Sequence, residues 1–462
     1  MYVDGKNNML DMLQATKGRI RMHMPGHKGR LSFDSSWDIT ELPNTDDLFA
    51  PQGGIAQAEA LAARSAGAAS SLLLTGGGTA GIMAMLLSLV PPGGKLIVPR
   101  DCHFSVLSAC VWGDIQPVFV WPRVHGASGF SYIDAGDVEQ TIQAHPDALA
   151  VLVTRPDYRG VCMDLARVAA AAKAAGMWLL VDEAHGAHFN WPVDHQPKGA
   201  GALGAHLWVQ SAHKTLPVLT GGAWLHLCDD VHTARARSVL RMVHTSSPSF
   251  PILVSLDEAR AWMDAHGISA LATLHGRIQT FWRLLQAGGS ALRNAHELLD
   301  HMDVDPTRVV IDVSQQGYTG QEVYDWLGER GIDGEMADGN HVVLIPSVWD
   351  PTDALEQVGK ALLALPKKPP LKPPLLMEGR TAPTPPQIAM RLREAALSVS
   401  AKPLPLAMAE GQVAACCAGV YPPGIPLIVP GERITAGAVK ALARARHCFG
   451  VENGALRCVI NT

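Results

Sequence analysis

The sequence has few charged residues and almost no net charge. Only 18% of its 462 residues are Asp, Glu, Lys or Arg, and 38 basic against 43 acidic residues give a formal charge of −5. Nucleic acids and anionic membranes bind strongly basic surfaces, so neither is expected as a partner. Hydrophobic residues make up 47%, which argues against disorder and predicts a large buried core. We therefore expect a compact protein that acts on a small molecule.

The sequence also has no cysteine framework and no long apolar run. None of its eight cysteines forms a C-x-x-C pair, so free thiols in a reducing cytoplasm are expected. The first 30 residues are polar and have no apolar segment typical of a signal peptide. The most apolar stretch, 72–90, is interrupted by glycines, whereas a membrane span needs about 20 apolar residues. The sequence thus predicts a cytoplasmic protein with no membrane partner.

Short apolar strands alternate with helices from about residue 55 onward. This alternation is typical of an α/β fold whose mostly parallel sheet has helices on both faces. Ligands bind such sheets beyond the carboxyl ends of the strands, so the residues that follow each strand are the first candidates for function. The predicted strands are 71–74, 95–98, 117–120, 148–153, 177–181 and 206–209. The predicted helices are 57–66, 82–90, 165–175, 237–245, 253–264 and most of 268–300.

Length and composition predict three folded units, at roughly 150 residues per domain. Residues 1–260 would form an N-terminal segment and the large domain. A smaller α/β domain would span 261–365, with a helix at 321–330 between strands at 309–313 and 341–345. Residues 366–386 contain eight prolines, too many for a helix or a central strand, and are predicted to be a linker. Residues 387–462 would form a C-terminal domain.

A glycine-rich turn, 76–81, follows the first predicted strand and precedes a helix. It satisfies the G-x-G-x-x-G pattern, and Asp101 lies where a ribose-binding acid of a dinucleotide site would be expected. More generally, such a turn exposes the N–H groups of a helix N-terminus to a phosphate, with Thr79 as an additional donor. A turn that needs only the backbone freedom of glycine is the alternative without a ligand.

A predicted buried strand ends directly before Asp182. A carboxylate there needs a cation, and the ring nitrogen of a pyridinium cofactor would provide one. Ala184 is small enough to lie under such a ring. His185 and His188, with Asp182 nearby, also allow a divalent metal site, but the small residues 186–187 favour close packing on a flat ligand, so no metal is predicted. A structural ion pair of Asp182 is a further alternative.

Ser211, His213 and Lys214 follow the last of these strands. Lys214 lies in an apolar context, where desolvation lowers the pKa of an amine and makes it a usable nucleophile. Ser211 and His213 have side chains that donate to phosphates. The glycine turn, His103, Asp182 and Lys214 each follow a strand. They correspond to the phosphate site, ring-stacking imidazole, pyridinium partner and Schiff-base amine that pyridoxal 5′-phosphate requires.

Motifs in the same order over nearly the whole chain resemble those of the Orn/Lys/Arg decarboxylases, in the short form that lacks an N-terminal wing domain. The resemblance implies an aspartate-aminotransferase-like fold (fold type I) and pyridoxal-phosphate-dependent decarboxylation of a basic amino acid in polyamine biosynthesis. It also implies a homodimer, or a multiple of it, with shared active sites. The matching segments are 23–29 (HMPGHKG), 41–48 (ELPNTDDL), 51–53 (PQG), 181–189 (VDEAHGAHF), 210–217 (QSAHKTLP), 245–249 (TSSPS), 335–338 (EMAD), 421–426 (YPPGIP) and 430–432 (PGE).

The resemblance further implies roles for single residues. Lys214 would bind the cofactor covalently, Asp182 would pair with its ring nitrogen, and His103 would stack on the ring opposite Ala184. Further cofactor-binding candidates, most of them at the phosphate, are Gly78, Thr79, His185, Ser211 and His213. Glu432 would meet the basic end of the substrate, for which arginine or lysine is favoured and ornithine is possible. Thr245 is a second substrate-binding candidate.

Three segments depart from the family pattern. Residues 76–79 are richer in glycine and have one hydroxyl fewer, Ala212 stands in place of a threonine, and residues 155–159 carry three charges. These departures bear on phosphate affinity and on substrate choice.

Other functions stay open at this point. On the same fold, an aminotransferase or a lyase is the first alternative, and an arginine such as Arg155 or Arg380 would then clamp the α-carboxylate. A dinucleotide-binding dehydrogenase would use the glycine turn but leaves Lys214 and Asp182 unexplained. A cofactor-binding regulator is a third alternative, against which the absence of a fused basic domain counts.

Overall fold

The computed structural model describes residues 19–22, 46–126, 129–299, 302–371, 385–421 and 424–460. The segment 23–29 and most of 41–48 therefore lie outside the described residues, as do Arg380, most of the predicted linker and two prolines of 421–426. Predictions that concern those residues stay predictions.

A seven-stranded sheet forms the centre of the large domain. Its strands are Ser70–Leu74 (β1), Lys95–Pro99 (β2), Gln116–Val120 (β3), Ala148–Thr154 (β4), Trp178–Asp182 (β5), Leu207–Gln210 (β6) and Ala223–Leu227 (β7). They lie in the order β1-β7-β6-β5-β4-β2-β3. All neighbours are parallel except β7, which is antiparallel to both β1 and β6. The mostly parallel sheet is confirmed, and β7 is an addition to the predicted strands.

Both faces of this sheet are buried, because alternate residues of each strand point to opposite sides. Leu72 and Leu74 of β1 pack into one core and Leu73 into another. In β4, Leu152 packs into the same core as Leu72, and Val151 packs into a core on the opposite face of the sheet. Helices Gly77–Leu89, Phe104–Gly113 and Thr233–Val243 supply the first core. The opposite side is covered by Gly54–Ala66, Ala135–Ala144, Leu165–Ala174 and part of Phe250–Ala287.

The carboxyl ends of β1, β2, β5 and β6 lie at the same edge of the sheet, since β1 and β6 are both antiparallel to the β7 strand between them. The glycine turn, His103, Asp182 and Lys214 follow these four strands. The parallel pairing therefore brings them to one edge, as the sequence predicts.

One helix of 38 residues, Phe250–Ala287, replaces the two helices predicted after residue 252. Gly267 does not interrupt it. A Cβ at Gly267 would lie 2.8 Å from the Met263 side chain, so this position is closely packed. The predicted helix over most of 268–300 is wrong beyond residue 287, where short strand and 3₁₀ segments follow. The predicted domain border at residue 260 lies inside this helix. The limits of the three domains stay predictions.

The smaller α/β unit is an antiparallel four-stranded sheet with helices Gly320–Gly328 and Ala354–Leu363. Its strands follow the order Arg293–Asn294, Val309–Asp312, His341–Leu344 and Met336–Asp338. The predicted strand-helix-strand order is present. Because the sheet is antiparallel, the rule that placed functional residues after strand ends does not apply here.

The C-terminal residues form two small antiparallel sheets beside the helices Leu392–Ala396 and Ala436–Arg444. The remaining short helix, Ala212–Thr215, belongs to the large domain. The first sheet contains Ala401–Pro405, Val413–Ala414, Val451–Glu452 and Ala455–Val459. The second contains Ala418–Val420, Ile425–Ile428 and Cys448–Phe449. Two-residue strands pair elsewhere: Ile20–Arg21 with Ile332–Asp333, Arg123–Val124 with Ser131–Tyr132, and Val161–Cys162 with Asp303–Val304.

All eight cysteines are free thiols, as expected from their spacing. Across the described ranges, no helix is both long and apolar enough to cross a bilayer.

Candidate active site

Lys214 and Asp182 lie at the ends of the adjacent parallel strands β6 and β5. Asp182 is 5% exposed and accepts a hydrogen bond of 3.1 Å from the backbone N–H of Ala184. Burial raises the pKa of Asp182, while the charge of Lys214 opposes that rise. Burial lowers the pKa of the Lys214 amine, while the charge of Asp182 opposes that fall. Desolvation outweighs this mutual attraction, so both groups shift toward their neutral forms.

His185 contacts Lys214 directly. Its Nε2 lies 3.0 Å from Nζ of Lys214, and its ring packs edge-on against Tyr158 with the centroids 4.7 Å apart. On the other side of the ring, Nη2 of Arg308 donates to Nδ1 at 3.3 Å. Burial, together with the positive charges of Lys214 and Arg308, holds the pKa of His185 well below its usual range. The imidazole is therefore neutral at pH 7.

His103 is the N-cap of the helix Phe104–Gly113, just beyond β2. Its Nδ1 accepts from the backbone N–H of Ser105 at 3.3 Å and lies 2.8 Å from the Ser105 hydroxyl, which fixes the ring. Burial and the charge of Lys214 lower the pKa of His103 to about 4. A neutral, oriented ring suits stacking on a flat cofactor. A Cβ at Gly424 would lie 3.6 Å from Nε2, so the C-terminal unit packs against this side chain.

The helix Gly77–Leu89 begins inside the glycine turn, earlier than predicted. Gly77 has a φ of +70°, in the left-handed region that favours glycine. A Cβ at Gly78 would lie 2.5 Å from Oγ of Ser211, which is itself 2% exposed. Only glycine therefore allows the helix N-terminus to approach this hydroxyl, and the two together form a donor set for a phosphate. Thr79, the next residue, is exposed.

His213 and Thr245 each make a local backbone contact. Nδ1 of His213 donates to the carbonyl of Gly222 at 2.9 Å, so a phosphate contact of this ring would go through Nε2. Thr245 is exposed, and its hydroxyl accepts from the N–H of Ser247 at 3.2 Å. The neighbouring His244, which the sequence did not single out, accepts from the N–H of Thr75 beside the glycine turn at 3.2 Å.

Glu432 is paired within the chain. Its Oε1 and Oε2 accept from Nε and Nη2 of Arg100 at 3.0 and 2.8 Å, and Oε2 also accepts from the N–H of Val429 at 3.0 Å. The side chains of Arg100 and Glu432 are 7% and 5% exposed. This pair joins the end of β2 to the C-terminal unit. Because both carboxylate oxygens are engaged, these contacts argue against the predicted contact of Glu432 with a basic substrate.

We expect Glu432→Gln to lower the free energy of unfolding by about 3–5 kcal/mol, because it leaves the buried charge of Arg100 without its partner. Urea unfolding of the purified chain measures this loss. The exposed pair of Arg446 and Asp325 provides the control: Asp325→Asn should cost less than about 1 kcal/mol. A higher KM with unchanged stability in Glu432→Gln would instead support the substrate contact.

Arg155 and His188 are engaged in structural contacts. Nε and Nη1 of the buried Arg155 donate to the carbonyls of Met163 and Lys198 at 3.2 and 2.8 Å, which argues against a role as carboxylate clamp. His188 pairs with Asp305 at 3.1 Å, whereas His185 is the histidine that contacts Lys214. Within the described ranges, no group of three or more His, Cys, Asp or Glu side chains is arranged to hold a metal.

The charged segment 155–159 contacts the motif 335–338 of the smaller unit. The Tyr158 hydroxyl donates a hydrogen bond to Glu335, and Arg159 pairs with Asp338. These two pairs and the contact of Arg308 with His185 were not predicted, since the partners are more than 100 residues apart in the sequence.

Asp101, just beyond β2, has a raised pKa. Burial and the negative charge of the nearby Asp157 raise it to about 6.

The fold and the site define a fold type I enzyme: an α/β sheet whose strand ends bring together a buried lysine, a buried aspartate and a glycine-rich helix start. The family model described as "Orn/Lys/Arg decarboxylase, major domain" matches residues 14–295, and its "C-terminal domain" matches 378–447. The chain belongs to the Orn/Lys/Arg decarboxylase family. The predictions of this family, of fold type I and of a decarboxylase are confirmed.

Individual relatives cover most of the chain. The uncharacterized protein YaaO of Bacillus subtilis is 33% identical over 93% of this chain and 92% of its own. The arginine decarboxylase of the same organism is 32% identical over 91% of this chain and 89% of its own. Among solved structures, the lysine decarboxylase LdcF of Francisella novicida superposes with a TM-score of 0.77, covering 90% of this chain and 73% of that one at 19% identity. That last likeness concerns the fold alone.

Proposed function

We propose that the enzyme removes the α-carboxyl group of a basic amino acid as CO₂, with pyridoxal 5′-phosphate as cofactor. One observation carries this proposal: Lys214 offers a buried amine of lowered pKa, 3.0 Å from the neutral His185 and next to the strand that ends in the buried Asp182. Relatives named arginine decarboxylase are 29–32% identical, and those named lysine decarboxylase are 21–22% identical. We therefore rank arginine first among the expected substrates, lysine second and ornithine third.

The residues at the site fit pyridoxal phosphate. Asp182 is a buried carboxylate with a raised pKa, so a cation beside it would lower its cost of burial. Gly78 lies so close to Ser211 that the helix N-terminus and the Ser211 hydroxyl are side by side, as a shared phosphate contact requires. When bound, the cofactor supplies a ring that accepts the electrons left behind by departing CO₂. Phosphate contacts would come from Gly78, Thr79, Ser211 and His213.

The side chains around the ring position would hold protons at defined atoms. Asp182 would keep a proton on the ring nitrogen, because its own anion is then stabilised. His103 would cover one face of the ring, with Ala184 on the other, and its pKa of about 4 keeps it uncharged at pH 7. Lys214 is the amine that would hold the cofactor covalently. Its Nζ then lies beside Nε2 of His185, where a proton can be held or passed on.

A basic substrate fits the charges beside this site. Asp101 and Asp157 both interact electrostatically with Arg159, whose guanidinium also pairs with Asp338. The negative charge of Glu335, a residue of the smaller unit, favours the charged form of Lys214. Arg100 and Arg308 also act on these aspartates. The nearby carboxylates, which are Asp101, Asp157, Asp305, Glu335, Asp338 and Glu432, still outnumber the guanidiniums of Arg100, Arg159 and Arg308, and this excess would favour a cationic side chain.

A homodimer is part of the same proposal. The resemblance to the family is what supports it, and Trp112 and Met242, which are 70% and 73% exposed, are side chains that a subunit contact would bury. Light scattering of the purified chain checks this: a mass of one subunit at micromolar concentration would contradict the dimer.

The test of function uses the purified chain with pyridoxal phosphate and, separately, arginine, lysine and ornithine. We expect CO₂ and an equal amount of the corresponding amine, with the highest kcat/KM for arginine. A keto acid without CO₂ would identify an aminotransferase. No absorbance change on adding the cofactor would overturn the proposed chemistry.

We expect Gly78→Ala to weaken the binding of pyridoxal phosphate at least about tenfold, because the new Cβ displaces the Ser211 hydroxyl and removes one charge-assisted hydrogen bond. Absorbance titration measures the Kd. Ser211→Ala should give a similar loss, and the double variant should be no worse than either single one. Gly54→Ala, where a Cβ meets nothing within 4 Å, is the control. Additive losses would show that the two residues act separately.

A further inference from the structure

Arg308 is a buried guanidinium at the start of the strand Val309–Asp312. It is 2% exposed, and its Nη2 donates to Nδ1 of His185 at 3.3 Å. Within the described residues, its Nε and Nη1 have no hydrogen-bond partner. Oδ2 of Asp305 approaches Nη2 only to 4.0 Å, beyond hydrogen-bond distance, while Oδ1 of the same carboxylate is bonded to His188. A guanidinium buried with so few contacts is costly, which points to a role at its one hydrogen bond.

The hydrogen-bonding capacity of the groups fixes the direction of each bond. A guanidinium has only donors, so Nδ1 of His185 must accept from Arg308. A neutral imidazole carries one proton, which then lies on Nε2. Nε2–H points at Nζ of Lys214, 3.0 Å away, and only an unprotonated amine has the lone pair to accept it. If Lys214 were an ammonium, Nε2 of His185 would have to accept from it, and the imidazole proton would lie on Nδ1. The N–H at Nδ1 would then face the N–H of Arg308, which is also a donor.

We propose that Arg308 is a positioning residue that fixes the tautomer of His185 and thereby holds Lys214 as a free amine. The amine is then ready to form a bond to an aldehyde. This inference rests on the role of Lys214 given under the proposed function, but its test needs neither bound cofactor nor turnover.

The charges that face Lys214 act in both directions. Burial and Arg308 disfavour the ammonium, whereas Asp182 and Glu335 favour it. His103 interacts with Lys214, and His103 and His213 both interact with His185. Both rings act against additional positive charge. Removal of Arg308 therefore leaves the two carboxylates less opposed and should return Lys214 toward the ammonium form.

The first experiment measures the reactivity of Lys214 in the full chain without cofactor. Reductive methylation with formaldehyde and cyanoborohydride is followed from pH 6 to 11 by mass spectrometry of the Lys214 peptide. Arg308→Met removes the donor and the charge, Arg308→Lys keeps both, and Arg293→Met removes a half-exposed arginine of the same small sheet as a control. We expect Arg308→Met to label about tenfold more slowly at pH 8, a shift of about one pKa unit. Arg308→Lys and Arg293→Met should stay within about twofold of the native rate.

The second measurement observes the tautomer in the native chain, so the proposal remains testable if Arg308→Met fails to fold. Nitrogen NMR of the histidine-labelled protein, with His185 assigned through His185→Gln, should show the proton on Nε2. A proton on Nδ1, or unchanged labelling of Lys214 in folded Arg308→Met, would overturn the proposal. Neither outcome depends on CO₂ release, so a failure here is distinguishable from a failure of the proposed decarboxylation.

Discussion

Lys214→Ala is expected to lower kcat for decarboxylation by on the order of 10⁴-fold, because among the residues that the structure describes Lys214 supplies the amine at the end of β6 beside Asp182. The absorbance band of cofactor bound to lysine should also disappear. CO₂ release and the absorbance spectrum measure the two effects. The exposed Lys173, in the helix Leu165–Ala174, provides the control, since Lys173→Ala should leave both unchanged. A cofactor still bound covalently to the Lys214→Ala variant would show that another lysine is the attachment site.

Asp182→Asn is expected to lower kcat by on the order of 10³-fold while leaving the chain without cofactor at least as stable as the native one. An amide has the shape of the carboxylate but cannot hold a proton on the ring nitrogen by charge. The pKa of Asp182 is raised by burial, so the folded state binds its proton more tightly than the unfolded state does. The carboxylate therefore opposes folding above its usual pKa, and the neutral amide removes that cost.

Steady-state kinetics and urea unfolding measure the two sides of this second prediction. The control is Asp147→Asn, which removes an exposed carboxylate paired with Lys95 and should change neither. A drop in both activity and stability would mean that Asp182 serves the fold rather than the cofactor.

The residues that sequence alone could place are those that follow strands of the parallel sheet. His103, Asp182 and Lys214 were predictable because short apolar runs mark the strands, and parallel strands end at one edge. Arg308 precedes a strand of an antiparallel sheet, so that rule could not find it. Nothing in the local sequence of Glu432 indicates the partner that the structure gives it, so its pairing could not be predicted. Arg100, which neutralises it, lies 332 residues away along the chain.

The sequence predicted a break near Gly267 that the long helix does not have, for a related reason. Gly267 costs a helix only about 1 kcal/mol relative to alanine, and local sequence does not show what offsets that cost. Met263 and Leu271, one turn to either side, are buried in the same core, and Trp191 packs over the glycine. Tertiary packing thus keeps the helix continuous where propensity favours an interruption.

The helix Phe250–Ala287 has a consequence for cooperativity. Its first part, through Leu271, supplies side chains to a core of the large sheet, and Leu274 to Leu285 supply the core of the smaller unit. At 1.5 Å per residue it is about 57 Å long, a single rod anchored at both ends. Neither core can melt completely without fraying a helix on which the other depends, and restarting a helix after a break is costly. The two sheets are therefore coupled in their unfolding, and heat should disrupt them in one transition.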